Sequence, residues 1–186
     1  MICNSQIAIY TETMDRLKPQ DVVLALKLAV QAGRVWKQPD LAKALHISAS
    51  EINHGLRRLA ASHLYNVDER RVIRASLREF LVHGLRYAFP AQLGMFGEGM
   101  ATAHSARPLA DKLRLGEEDG VVWQMRDARF RTKGHVIAPL YRTAPLAAAD
   151  DPALHELLAL ADALRIGRGR ERALAGAEIA KRLEVS

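Results

Sequence analysis

The stretch from residue 38 to residue 59, QPDLAKALHISASEINHGLRRL, constrains the fold of this chain more than any other. Leu41, Ala42 and Leu45 fall at helical spacing and give a first helix one apolar stripe. Ile47 follows at a turn. Ile52, Leu56 and Leu59, spaced by four and three, give a second helix its own stripe. Ser48 and Glu51 form an S-x-x-E capping box, which defines the start of that helix because the serine hydroxyl accepts a bond from a first-turn N–H that has no helical partner. Two short helices bent about Ile47 over a shared apolar interior are expected. Burying both stripes leaves Ala49, Ser50, Asn53, His54 and Arg57 on the outer face of the second helix.

The flanks extend the pattern. Pro19 suits a first helical position, and Val22, Leu26, Ala29 and Val30 recur at helical spacing until Gly33. Val35 and Trp36 form a short β-prone step before Pro39. Downstream, Leu64 to Val67 and Val72 to Arg74 are expected to be two strands joined across Asp68, Glu69, Arg70 and Arg71. The order helix, short strand, helix, helix, hairpin is that of a winged helix.

Leu41, Ala42, Leu45, Ile47, Ser48, Ile52, Leu56, Arg58 and Leu59 together resemble the winged helix-turn-helix family of bacterial transcriptional regulators, of which the MarR-like repressors are one branch. The resemblance covers residues 18 to 75, with His46 where the family usually has a turn glycine and Gly55 where it usually has alanine. Histidine is among the better tolerated non-glycine residues at positive φ. Gly55 costs about 1 kcal/mol against alanine within a helix, so a close helix approach is its expected purpose. The resemblance implies a sequence-specific regulator that inserts the helix 49–62 into the major groove of double-stranded DNA. Asn53 and Arg57 lead the expected base contacts, since an amide matches adenine and a guanidinium guanine; Ser50 and His54 follow. Lys43 and Arg58 are candidate backbone contacts, Arg58 equally an internal ion pair. Arg70 and Arg71 at the hairpin tip and Arg74 at its base sit where a wing meets phosphates, against Asp68 and Glu69. A three-helix packing unit that binds no nucleic acid, with a solvated hairpin, is the alternative for the same pattern.

Beyond residue 75 the chain is expected to be mostly helical with a few short strands, giving a mainly α, α+β protein. The division is a DNA-binding unit over 1–75 and a dimerisation, effector or partner-binding region over 76–186. Ser76 and Glu79 repeat the helix-start signal before LREFLVHGLRYAF, whose apolar residues cover more than one face and are closed by Pro90. That helix is expected at the centre of the second region or pairing with its twin, and His83 as a core or interface histidine. Residues 90–149 carry Gly94, Gly97, Gly99, Pro108 and Gly120, and only Val121 to Met125 and His135 to Leu140 are strand-like. Asp150, Asp151 and Pro152 then open a helix with the stripe Leu154, Leu157, Leu158, Ala161 and Leu164, and a last helix runs from Arg168 to Leu183 on Leu174, Ala177, Ile179 and Leu183. The arginines between them, Arg165, Arg168, Arg170 and Arg172, suit a solvated junction.

Charge bears on partners. A net charge of +6 and a pI near 9.8 suit a polyanionic partner, with +4 on residues 1–74 and +2 on the rest. The single cysteine, Cys3, permits no intrachain disulfide and fits a reducing cytoplasm. The first thirty residues lack the pattern of a secretory leader, and no window approaches a membrane span, so a cytoplasmic protein is expected. Histidines at 46, 54, 63, 83, 104, 135 and 155 show no metal-ligand spacing, and no phosphate loop or dinucleotide fingerprint occurs; no enzyme and no cofactor are expected. Double-stranded DNA bound as a homodimer is the leading expectation, with a small-molecule effector or partner protein at the C-terminal half. An antitoxin-like or adaptor module that binds a protein through that half is the alternative.

Overall fold

The computed structural model describes residues 16–184 apart from 32, 115 and 117. Cys3 and half of the stretch tested for a leader lie outside the described residues. The fold is mixed α+β. Helix α1 spans Pro19–Val30, α2 Gln38–Leu45 and α3 Ala49–Ala61, followed by an antiparallel pair, β1 Tyr65–Asn66 and β2 Arg71–Val72. A helix then runs from Arg74 to Ala88 in three parts, α4 Arg74–Glu79, a π-helical turn Phe80–Gly84, and α5 Leu85–Ala88. Next come β3 Phe96–Ala101, a 3-10 turn Ala103–Ser105, β4 Val121–Gln124 and β5 Thr132–Val136, and finally α6 Ala144–Ala149, α7 Pro152–Ile166 and α8 Gly169–Leu183.

The N-terminal helices form because each carries the predicted stripe. Leu41, Leu45, Ile52 and Leu59 are buried, and Ile47 closes the turn between α2 and α3. His46 holds the left-handed conformation there, φ 53° and ψ 42°, in the position read as a glycine substitute. Ser48 Oγ accepts from Glu51 N at 3.2 Å, so the serine half of the capping box forms. The glutamate half does not: Glu51 turns to Gln20 and Arg58.

Several expectations change. No strand forms at Val35 and Trp36, where Val35 is almost fully exposed and Trp36 instead packs on the hairpin. The hairpin ladder is shorter than expected, pairing Tyr65 with Val72 and Asn66 with Arg71. Asn66 Oδ1 accepts from Asp68 N and Glu69 N, which folds residues 67–70 into the turn and ends the strands early. The next helix starts at Arg74, before the Ser76 signal, because the hairpin delivers the chain directly into helical geometry after Ile73. It is not the apolar centre: Leu77, Leu81 and Leu85 form a single buried row, while Tyr87, Ala88 and His83 are exposed. That centre is α7, buried continuously from Leu157 to Arg165.

Residues 90–149 hold a feature that their glycines concealed. Strand β3 pairs antiparallel with both β4 and β5, and β4 pairs parallel with β5, closing a three-stranded barrel. Gly99 faces Gln124 on one side and Thr132 on the other, and a Cβ there would stand 2.0 Å from Trp123 O. Only glycine permits that approach. The barrel docks on α7 through Asp162, which accepts from Thr102 Oγ1 at 2.9 Å, Trp123 Nε1 at 2.6 Å and Arg165 Nη1 at 2.6 Å. Burial pushes the Asp162 carboxyl up, against the pull of Arg165 and its other donors. Arg165 also donates to Phe89 O and Ala138 O, fastening the loops on either side of the barrel.

The C-terminal helices start where the sequence places them. Asp151 Oδ1 accepts from Leu154 N at 3.1 Å, with Pro152 in the first turn. On α8 the buried row is Ala175, Glu178, Ile179 and Leu183; Leu174 is only half-buried and Ala177 is exposed. One apolar core runs from Val22 to Leu183 without a break at residue 75. Polar ties cross the same line: Lys27 to Asp151 at 2.7 Å, and Thr143 Oγ1 to Leu45 O at 2.8 Å. Among the described residues no helix is long and apolar enough to cross a membrane.

Candidate nucleic-acid interface

Helix α3 packs on α1, α2 and β1. Its inner row, Ile52, Gly55, Arg58 and Leu59, is buried. Ser50, His54 and Arg57 are exposed and Asn53 is half-buried, so the structure leaves these four side chains on the open side of the helix, at the three- and four-residue intervals that share one face. His54 Nδ1 lies 4.0 Å from Glu51 Oε2 and has 47% of its side chain in solvent. Lys43 is exposed on α2.

What holds α3 at this angle is ionic and lies underneath. Arg58 is 4% exposed and Asp21 1%. Arg58 Nε and Nη2 donate to the two oxygens of Asp21 at 2.7 Å each, a bidentate pair, and Nη2 also reaches Glu51. Asp21 Oδ2 accepts in addition from Lys18 N at 2.7 Å, at the start of α1. The hydrogen bonds it donates to Asp21 push the Arg58 guanidinium above its usual range despite desolvation. Partial burial pushes the Glu51 carboxyl up, but bonds from Arg58 and Gln20 outweigh it and leave it below the ordinary carboxylate range. Gly55 makes the arrangement possible, since a Cβ at that position would stand 3.0 Å from Asp21 Oδ1 and 3.1 Å from Leu24 Cδ2. Arg58 is therefore an internal ion pair and not a backbone contact. Sequence alone missed the reason, because Asp21 lies in a different helix.

The hairpin divides its three arginines. Arg70, at φ 51°, lays its guanidinium 4.7 Å from the centre of the Trp36 ring, whose Nε1 donates to Arg70 O at 3.3 Å. Arg71 is exposed and pairs with Glu69 at 2.7 Å. An exposed pair of this kind contributes at most about 1 kcal/mol, so Arg71 exchanges partners readily. Arg74 is corrected. It lies in the first turn of α4 and donates to Ala29 O at 3.2 Å, Arg182 O at 3.3 Å and Glu184 O at 3.2 Å, tying the end of α1 to the end of α8. Its half-buried guanidinium bonds three backbone carbonyls of its own chain.

Comparison of the chain with family models, with curated proteins and with solved structures finds no match.

The site is a convex helix face with an amide, a hydroxyl, an imidazole and a guanidinium, beside exposed cations at Lys43, Arg70 and Arg71. Among the described residues no three His, Cys, Asp or Glu side chains come together closely enough to hold a metal ion. Trp36, which anchors Arg70, is the position beside this face that sequence reasoning missed. Its aromatic type was the only signal, and it was absorbed into a strand.

Proposed function

We propose that the chain is a sequence-specific regulator of transcription that binds double-stranded DNA through a winged helix-turn-helix, with α3 in the major groove. The observation that carries the reading is the open polar face of α3, with Ser50, Asn53, His54 and Arg57 outward and Arg58 locked beneath. An α-helix fits the major groove of B-DNA, and these are side chains that bond base edges there. In this reading Arg70 and Arg71 on the hairpin and Lys43 on α2 meet phosphates. A homodimer on a two-fold-related site would double the few bases that one such helix can read.

The test is binding of the full chain to duplexes tiled across the DNA upstream of its own coding sequence, followed by anisotropy at several salt concentrations. One duplex should bind more tightly than the others, and affinity should fall steeply between about 50 and 200 mM salt as counterions are released. Equal, weak and salt-insensitive binding to every duplex overturns the reading.

One observation favours a second reading, an antitoxin-like or adaptor module that binds a protein. Leu93, Met95 and Phe96 form an exposed apolar run leading into β3, with Met95 87% exposed. Under that reading Met95→Asp abolishes partner capture, and duplex binding is weak throughout.

A further inference from the structure

A cavity of about 530 Å³ lies where the barrel meets the junction of α7 and α8. Its walls come from the segment before β3, the 3-10 turn, residues 112–114 and 118–119 with the cations Lys112 and Arg114, the ends of β4 and β5, and residues 166–171. Leu93, Val121 and Ile166 supply apolar surface. The polar groups are of two kinds. Three buried side-chain atoms among the described residues have no hydrogen-bond partner, and two of them, His104 Nδ1 and Glu171 Oε2, belong to residues lining this cavity.

Both atoms are acceptors. His104 Nε2 lies 2.8 Å from Asp119 O, and only a protonated nitrogen pairs with a carbonyl, so in the neutral ring Nδ1 carries a lone pair. Glu171 Oε2 is a carboxylate oxygen. Buried polar atoms are nearly always bonded, and these two are shut off from solvent in their present rotamers, on side chains of one cavity wall that a small rotation turns toward a donor in the cavity. The last torsion of a glutamate is soft, so its oxygen turns to meet such a donor at small cost.

The second kind is cationic. Arg168 and Arg170 line the same cavity, are exposed, and form no ion pair with a carboxylate among the described residues. They flank the start of α8, a 15-residue helix whose first turn receives no side-chain cap. Uncapped N–H groups and the positive end of the helix dipole favour an anion at that end. Glu118, Asp119 and Glu171 on the same walls make the lining mixed in sign, which disfavours a simple anion and suits a ligand carrying both chemistries.

We propose that this cavity binds a nucleoside monophosphate with an exocyclic amino group, the amine donating to Glu171 and His104 and the phosphate meeting Arg168, Arg170 and the start of α8. The volume falls in the range of small-ligand sites, about 300 to 1,000 Å³. The inference does not rest on the DNA-binding reading, since the cavity and α3 share no residue.

The test is calorimetric titration of the full chain with AMP, CMP, GMP and UMP, and with adenosine and inorganic phosphate separately. At least one amino-bearing nucleotide should bind below about 1 mM, with UMP, adenosine and phosphate each at least about tenfold weaker. Glu171→Gln and the double variant Arg168→Ala with Arg170→Ala should each weaken the nucleotide about tenfold or more while retaining the parental melting temperature within a few degrees. Arg57→Ala should leave it unchanged. Failure of all four nucleotides to bind at about 10 mM overturns the proposal. So does phosphate alone binding as tightly as the nucleotides, which would mean an unspecific anion site at the helix start.

Discussion

At the residue scale two neighbours in α3 face opposite ways. Arg57 is exposed and Arg58 is 4% exposed, bonded to Asp21 and Glu51. Their substitutions should fail in different ways. Arg57→Ala leaves the urea midpoint unchanged and, if α3 reads bases, costs about 1 to 3 kcal/mol of specific binding, with sequence preference relaxed at one position. A footprint identical to the parent's would remove Arg57 from the interface. Arg58→Ala strands Asp21, 1% exposed, without its guanidinium, and should cost about 3 to 5 kcal/mol of stability. Combining it with Asp21→Ala should cost clearly less than the two single losses together, because each single variant already breaks the same pair. Simple additivity in urea unfolding would show that the pair does not hold α3. The sequence made local choices legible here: the serine cap, the histidine at positive φ, and the glycine where helices touch. It could not show that Arg58 points inward, because its carboxylate comes from 37 positions away.

At the scale of elements, legibility follows how local the determining forces are. Helices α7 and α8 stand where sequence places them because Asp151, Pro152 and Leu spacing act within a few residues. Strand β3, Phe-Gly-Glu-Gly-Met-Ala, was not legible. Gly99 is there for backbone approach inside a closed barrel, and a Cβ on Gly97 would stand 3.0 Å from Val136 Cγ2; both requirements exist only once β4 and β5 are in place. The hairpin is an intermediate case: its turn residues were recognisable, but its anchor, Trp36, was not. Because Trp36 supplies both a ring under Arg70 and a bond to Arg70 O, Trp36→Ala should loosen the tip while sparing the core. A cation over an indole contributes about 0.5 to 2 kcal/mol. Amide exchange over residues 65–72 is expected to accelerate in that variant, with α1 amides from Val22 to Leu28 unaffected. Uniform acceleration across both would place Trp36 in the general core instead.

At the scale of the molecule, the continuous core from Val22 to Leu183 makes the angle of α3 depend on residues far along the chain. Lys27 with Asp151, Thr143 with Leu45 O, and Arg74 with the end of α8 fasten the α1–α3 unit to the rest. None of these ties was legible, since each joins residues at least 98 positions apart. Helix α8 has its own ionic hub. Glu178 of α8 is buried and accepts from Lys112 before β4, and from Arg182 and Lys181 on its own helix, while Arg182 also holds Glu156 of α7. The hydrogen bonds from Lys112 and Arg182, outweighing desolvation, lower the Glu178 pKa from 4.5 to about 2. A carboxyl depressed on folding contributes stability above its unfolded pKa and loses it as pH falls through its folded value. The contribution of Glu178 is thus complete above about 4.5 and disappears between there and about 2. Glu178→Gln lacks it at every pH, so the variant should be less stable than the parent at pH 7, with the gap narrowing in that acid window until the two converge. Urea unfolding of both proteins along a pH series measures the gap directly. A difference that stays constant from pH 7 to pH 2 would mean that the loss comes from altered packing and not from the charge on Glu178.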